Sequence, residues 1–150
     1  MSKVVLITGA SSGIGKTIGE YLINKGYIVY GTCRNPAKYK NNIINLIKSN
    51  INSKDDIHEC LNFVFKKEGR IDVLINNAGI GFTGPIEESN LNDVESLFKT
   101  NFFGPLEITK KVLPLMRKNK GGLIINITSI AAYIGLSLIH ISEPTRLSAI

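Results

Sequence analysis

The stretch Val4-Val5-Leu6-Ile7-Thr8-Gly9-Ala10-Ser11-Ser12-Gly13-Ile14-Gly15 decides how this chain folds. Its first four residues are apolar and mostly β-branched, the composition of a strand buried on both faces. The glycines at 9, 13 and 15 then permit a tight turn with close backbone approach. Beyond the turn Ile14, Ile18, Tyr21 and Leu22 recur at helical spacing, with Gly26 placed to cap the helix. The stretch reads as strand, glycine-rich loop and helix. Free N–H groups and the helix dipole at such a junction attract a pyrophosphate without any side-chain charge.

The same residues support a lesser alternative. Ala10-x-x-x-x-Gly15-Lys16-Thr17 approaches the P-loop of nucleoside triphosphatases. That motif wants glycine at position 10 and a later strand ending in a magnesium-binding Asp. The two candidate strands, 73–75 and 123–127, run instead into Asn76 and Thr128.

A length of 150 residues, 43% of them hydrophobic, suffices for one domain with its own core. The net charge of +6 comes from lysines scattered as solvated helix faces, with no interleaved aromatics, which argues against a nucleic-acid partner. Cys33 and Cys60 lack metal-ligand spacing, and neither His58 nor His140 has neighbours to complete a site, so no metal is expected. No apolar run is long enough for a signal peptide or membrane span, so the expected setting is the reducing cytoplasm, away from the membrane.

Downstream, Ile28 to Thr32 reads as the second strand, and the residue after it is the one that meets the adenosine ribose in dinucleotide folds. An acidic group there would bind the 2′-hydroxyl. Cys33 and Arg34 stand in its place, and a guanidinium suits a 2′-phosphate, which favours NADP over NAD. Asn35-Pro36 opens a short helix, and Ile43 to Ile47 is the expected third strand. Ser53 and Asp56 form a capping pair before a helix whose apolar face is Ile57, Leu61, Val64 and Phe65. Strand four, Val73 to Ile75, leads into Asn76-Asn77-Ala78-Gly79, amides set in the crevice where such sheets bind ligands. A long helix is expected from Asn90 to Asp93 onward, with Val94, Leu97, Phe98, Asn101 and Phe102 near one stripe, continuing through Leu113 and Met116. Pro105 has no N–H, so the Asn101 carbonyl loses its helical partner and a kink is expected. Strand five, Leu123 to Ile127, ends in Thr128-Ser129. Alternating strands and helices predict an α/β fold, a doubly wound parallel sheet of Rossmann type, truncated after about the fifth strand.

Taken together, Thr8-Gly9-x-x-x-Gly13-x-Gly15, Asn76-Asn77-Ala78-Gly79, Asn101 and Ser129, in this order and on these elements, resemble the short-chain dehydrogenase/reductase family from Lys3 to about Gly135. The resemblance implies an oxidoreductase that moves a hydride between a nicotinamide and a small carbonyl or alcohol substrate. It implies cofactor contacts at Thr8, Gly9, Ser11, Ser12, Gly13, Ile14, Gly15, Arg34, Asn50, Asn77, Ala78 and Gly79. It further implies that Ser129 orients the substrate carbonyl, that Asn101 holds a water through its main-chain carbonyl, and that the parent protein is a homo-oligomer through the helix around Asn101.

Two departures from the family stand out. Asn50 occupies a position where the family commonly has an Asp accepting from the adenine amino group, and an amide oxygen can substitute. The family's catalytic Tyr-x-x-x-Lys, expected beyond Ser129, is missing there, since Tyr133 lies too close to Ser129 and no lysine follows Lys120. The chain as written is therefore expected to be inactive, and the alternative of a different class is a non-catalytic dinucleotide sensor or scaffold. The run from Leu136 to Arg146 matches the translation of a transposase-based sequencing-library adapter. Residues 1–135 are accordingly expected to be an incomplete dinucleotide-binding domain and 136–150 an artefact tail.

Overall fold

The computed structural model describes residues 2–39, 42–81 and 86–129. Tyr133, His140 and the whole expected tail lie outside the described residues. Five strands, β1 (Val4–Ile7), β2 (Ile28–Cys33), β3 (Asn45–Lys48), β4 (Val73–Asn76) and β5 (Leu123–Asn126), form one parallel sheet in the order β3-β2-β1-β4-β5. Four α-helices accompany it among the described residues: α1 (Gly13–Asn24), α2 (Lys54–Glu68), α3 (Leu91–Phe98) and α4 (Gly104–Lys118). None is long and apolar enough to cross a membrane.

Strand parity decides which helix lies on which face, because successive side chains point to opposite sides. Val4 and Leu6 of β1, Tyr30 of β2 and Leu74 of β4 pack against Ile57, Cys60, Leu61 and Val64 of α2 and Ile108, Val112 and Met116 of α4. Val5, Ile7, Val29 and Ile75 face the other way, onto Ile18, Leu22 and Ile23 of α1. This is the doubly wound sheet expected from the sequence. The chain reverses direction of winding between β1, which leads to β2 on one side, and β4 on the other. Ligands in such sheets bind at the carboxyl ends of the strands at that point.

Local differences from the expected elements have physical causes. In α1 the buried positions are Gly15 and Gly19 with Ile18 and Leu22 partly covered, whereas Ile14 and Tyr21 face outward. The third strand begins at Asn45 rather than Ile43. Asn42 Oδ1 accepts from the Ile44 N–H at 3.0 Å, a local side-chain turn that takes this stretch off the ladder. Ile43 is left 57% exposed and Ile44 is buried at 3%.

The single long helix expected after Asn90 is divided. A π-helical turn, Lys99–Phe103, separates α3 from α4, and the Gly104 N–H reaches back five residues to the Lys99 carbonyl. Pro105, which has no N–H to give, accounts for the break falling here. The stripe expected on α3 is not buried: no α3 residue is, and Phe98 and Phe102 are exposed. In α2, Ser53 Oγ accepts from the Asp56 N–H at 3.2 Å as the capping pair requires, and Gly69 in the left-handed region closes the helix.

The displaced start of β3 leads to a direct test in the full-length protein. Ile44→Ser should cost about 2 kcal/mol or more in denaturant unfolding, since it removes a buried side chain and leaves a hydroxyl in its place. Ile43→Ser should stay within about 0.5 kcal/mol. Equal costs would mean that both side chains are buried.

Candidate functional site

At the reversal point the loop after β1 is tied to the segment after β4. Thr8 is 1% exposed, and its Oγ1 accepts from the N–H groups of Asn77 at 2.9 Å and Ala78 at 3.0 Å. Asn77 returns the bond in the other direction, donating from Nδ2 to the carbonyls of Thr8 at 2.9 Å and Gly9 at 3.0 Å. The fit leaves no room at Gly15, where a Cβ would stand 2.4 Å from Asn77 Nδ2 and 2.6 Å from the Gly9 carbonyl oxygen. Gly13 is the opposite case. It adopts φ +55°, and nothing lies within 4 Å of where its Cβ would be, so the backbone there is open to a ligand.

Two clefts meet over this knot. The first, of 540 Å³, is lined by Gly9, Ser11, Ser12, Gly13 and Ile14 from the loop, Cys33 and Arg34 from the end of β2, Asn50 after β3, and Asn77, Ala78 and Gly79. Thr8 and Gly15, expected at the cofactor, do not line it; they are buried beneath and shape the loop. Arg34 carries the only charge among the described lining residues, and the first turn of α1 holds no acidic residue. The cleft is thus biased toward an anion, by Arg34 and by the N-terminus of α1. Lys16 and Thr17, which the triphosphatase reading needs at the phosphates, are engaged elsewhere. Lys16 pairs with Glu20 along α1, and Thr17 Oγ1 donates to the Gly13 carbonyl.

The second cleft, of 630 Å³, shares Asn77, Ala78 and Gly79 with the first and continues to Asn101, Phe102, Pro105, Leu106, Thr109 and Asn126 through Ser129. Asn101 and Ser129, 28 residues apart in sequence, therefore line one space. The Asn101 side chain is committed to the loop after β4, with Oδ1 accepting from the Ile80 N–H at 2.9 Å and Nδ2 donating to the Ile80 carbonyl at 2.8 Å. Beside it, Asn76 Nδ2 donates to Asn126 Oδ1 at 2.8 Å and Thr109 Oγ1 at 3.2 Å. Asn76 and Asn126 are register partners on adjacent strands, a pairing legible only once β4 and β5 are aligned.

The ionisable groups nearby divide by cause. Burial pushes the Cys33 thiol above its ordinary value and the Cys60 thiol up to about 12, so both stay protonated at neutral pH and neither is an activated nucleophile. Asp56 is held below the usual carboxylate range by the Asn50 N–H, at 2.8 Å, and then by the Ser53 hydroxyl, at 2.8 Å. It anchors the turn that presents Asn50, whose own Oδ1 accepts from the Asn52 N–H at 3.1 Å. A carbonyl oxygen has a second lone pair, so this bond leaves Asn50 able to accept again.

A family model described as short chain dehydrogenase matches residues 3–140. The chain belongs to the short-chain dehydrogenase family. It is 42% identical over 134 residues to a 3-ketodihydrosphingosine reductase of Bacteroides thetaiotaomicron, covering 89% of this chain and 49% of the relative. It is 33% identical to human retinol dehydrogenase 8, covering 89% of this chain and 46% of that protein. Among solved structures, ElxO with NADP bound superposes with a TM-score of 0.81 at 34% identity, covering 90% of this chain and 58% of that one. A short-chain dehydrogenase from Streptomyces avermitilis gives 0.80 at 34% identity, covering 89% and 51%. The chain spans about half the length of the curated relatives it matches. Within this family fold the two clefts fall at the carboxyl edge of the sheet, as the family's parallel topology requires.

The lowered Asp56 acidity sets a pH dependence. Its folded pKa lies below the unfolded one, so its stabilising contribution is fully present above the unfolded carboxylate value and is lost as pH falls through the folded value. Unfolding midpoints of the full-length protein should therefore decline as pH falls below about 5, and Asp56→Asn should flatten that decline while lowering stability at neutral pH. An identical acid limb in the variant would remove Asp56 from the account.

Proposed function

We propose that this chain is the nucleotide-binding part of an NADP-dependent oxidoreductase that interconverts a carbonyl and an alcohol on a small molecule. The observation that carries the reading is the first cleft itself. It offers open loop backbone at Gly13 and, on the loop after β2, Arg34, its single charge among the described lining residues. A dinucleotide phosphorylated on its adenosine ribose presents anions at two such places. The loop from Ser11 to Ile14 would hold the pyrophosphate through N–H groups, Arg34 the 2′-phosphate and Asn50 the adenine. Asn77, Ala78 and Gly79 would line the passage toward the second cleft. When bound, the cofactor supplies a hydride donor or acceptor.

In the second cleft the Ser129 hydroxyl would orient the substrate oxygen, and the Asn101 main-chain carbonyl would hold a water. The names of two relatives, a reductase of a ketone and a retinol dehydrogenase, support a carbonyl and alcohol pair as substrate class. The NADP-bound neighbour supports the phosphorylated cofactor. No Tyr-x-x-x-Lys follows Ser129 in this sequence, where the family carries its catalytic pair, so turnover is assigned to the full-length protein. We read that protein as a cytoplasmic homo-oligomer, with the exposed Phe98 and Phe103 offering apolar surface for association.

Arg34→Ala in the full-length protein should weaken NADP binding about ten- to a hundredfold and leave NAD binding little changed, as loss of a charge-assisted hydrogen bond to phosphate predicts. Titration of both nucleotides checks this, and an unchanged ratio would reject the assignment. Ser129→Ala should lower kcat at least about tenfold while NADP affinity is retained, because the hydroxyl serves the substrate and not the nucleotide. An unaltered turnover number would remove Ser129 from the chemistry.

A further inference from the structure

We propose that Asn52 and Thr100 are positioning residues that couple the adenine-side wall of the nucleotide cleft to the π-turn carrying Asn101. The proposal rests on the oxidoreductase reading for its functional meaning, while its mechanical content stands on the hydrogen bonds alone. Asn52 Nδ2 donates to Thr100 Oγ1 at 2.9 Å across 48 residues of sequence. Both residues line the first cleft, and Thr100 is 8% exposed.

On the Asn52 side the turn is closed by three hydrogen bonds. The Asn52 N–H binds Asn50 Oδ1, the Ser53 N–H binds the Asn50 carbonyl at 2.9 Å, and the Asn50 N–H binds Asp56 at the start of α2. On the Thr100 side the π-turn has little slack. A Cβ on Gly104 would stand 2.7 Å from Ile51 Cγ1 and 3.0 Å from the Ile51 carbonyl oxygen, so the start of α4 already abuts the Asn50 to Asn52 turn. Thr100 is followed directly by Asn101, whose side chain holds both the N–H and the carbonyl of Ile80. Ile80 belongs to the loop that leaves the floor shared by the two clefts. A ligand that settles the Asn50 to Asn52 turn therefore also settles Thr100, Asn101 and Ile80, in that order.

Hydrogen exchange at the Ile80 amide reads this coupling directly, in the full-length protein, with NADP+ as the probe. Without nucleotide, Thr100→Val and Asn52→Ala should each speed exchange at Ile80 about three- to fivefold, as expected for loss of one partly exposed hydrogen bond. The double variant should match either single one, because both remove the same bond. Saturating NADP+ should slow Ile80 exchange in the wild type, and Thr100→Val, measured at its own saturating NADP+ concentration, should abolish most of that slowing. Thr100→Ser, which restores the hydroxyl, should return both behaviours. A Thr100 that served packing alone would be satisfied by the isosteric valine, and unchanged exchange in that variant overturns the proposal. Additive single variants, or NADP+ slowing that persists undiminished in Thr100→Val, overturn it as well. A wild type that fails to bind NADP+ counts against the oxidoreductase reading, and the nucleotide-free exchange rates still decide the coupling.

Discussion

Four hydrogen bonds between Thr8–Gly9 and Asn77–Ala78 hold the structure's working end together. They join the loop after β1 to the segment after β4 at the place where the sheet changes its direction of winding. Two chain segments that leave adjacent strands would otherwise bury unpaired N–H and carbonyl groups, each at a cost of about 1–3 kcal/mol. Thr8 and Asn77 satisfy them reciprocally, with one hydroxyl accepting twice and one amide donating twice. The knot explains why Gly15 must lack a side chain, since its Cα stands where a Cβ would collide with the Asn77 amide. It also explains why both clefts share the same floor: the tied segment is the only described stretch that borders the loop of α1 on one side and the β5 end on the other.

Strand parity does the remaining large-scale work. Because Val4 and Leu6 face α2 and α4 while Val5 and Ile7 face α1, a single apolar tetrapeptide nucleates two core layers. A run without polar alternation is what a sheet covered on both faces demands. The helices then place their N-terminal ends at the carboxyl edge of the strands, so the loops bearing polar residues gather there with no further instruction from the sequence.

The parts legible in the sequence are those encoded by neighbours in the chain. The strand, loop and helix from Val4 to Leu22 follow from apolar run, glycine spacing and helical period. The cap at Ser53 follows from an acceptor three residues before Asp56. The break near Asn101 was legible in position, because Pro105 removes a donor, but its form as a π-turn was not, since proline dictates only which bond is absent. Ile43 and Ile44 look alike in sequence, and a side-chain bond from Asn42 decides which of them is buried. The site shows the same division. Arg34 and Asn77 could be placed from the ends of their strands, whereas the Asn52 to Thr100 bond joins two short polar residues with no periodic signature. Thr8 was legible as a motif residue and not as a buried one, because its exposure is set by Asn77, which lies 69 residues away.

The position of Asn101 follows from the same economy of donors. Its side chain spends one bond from each of its polar atoms on Ile80, which fixes the side chain against the loop after β4. A regular α-helix would direct the Asn101 carbonyl to the N–H four residues on, and the residue there is Pro105. Substituting the asparagine would therefore disturb the Ile80 loop first and the carbonyl only through it, whereas substituting the proline would return a donor to the helix and compete for the carbonyl directly. The two positions act by different routes: the asparagine ties the turn to the Ile80 loop, and the proline removes the N–H that a regular α-helix would offer to the Asn101 carbonyl.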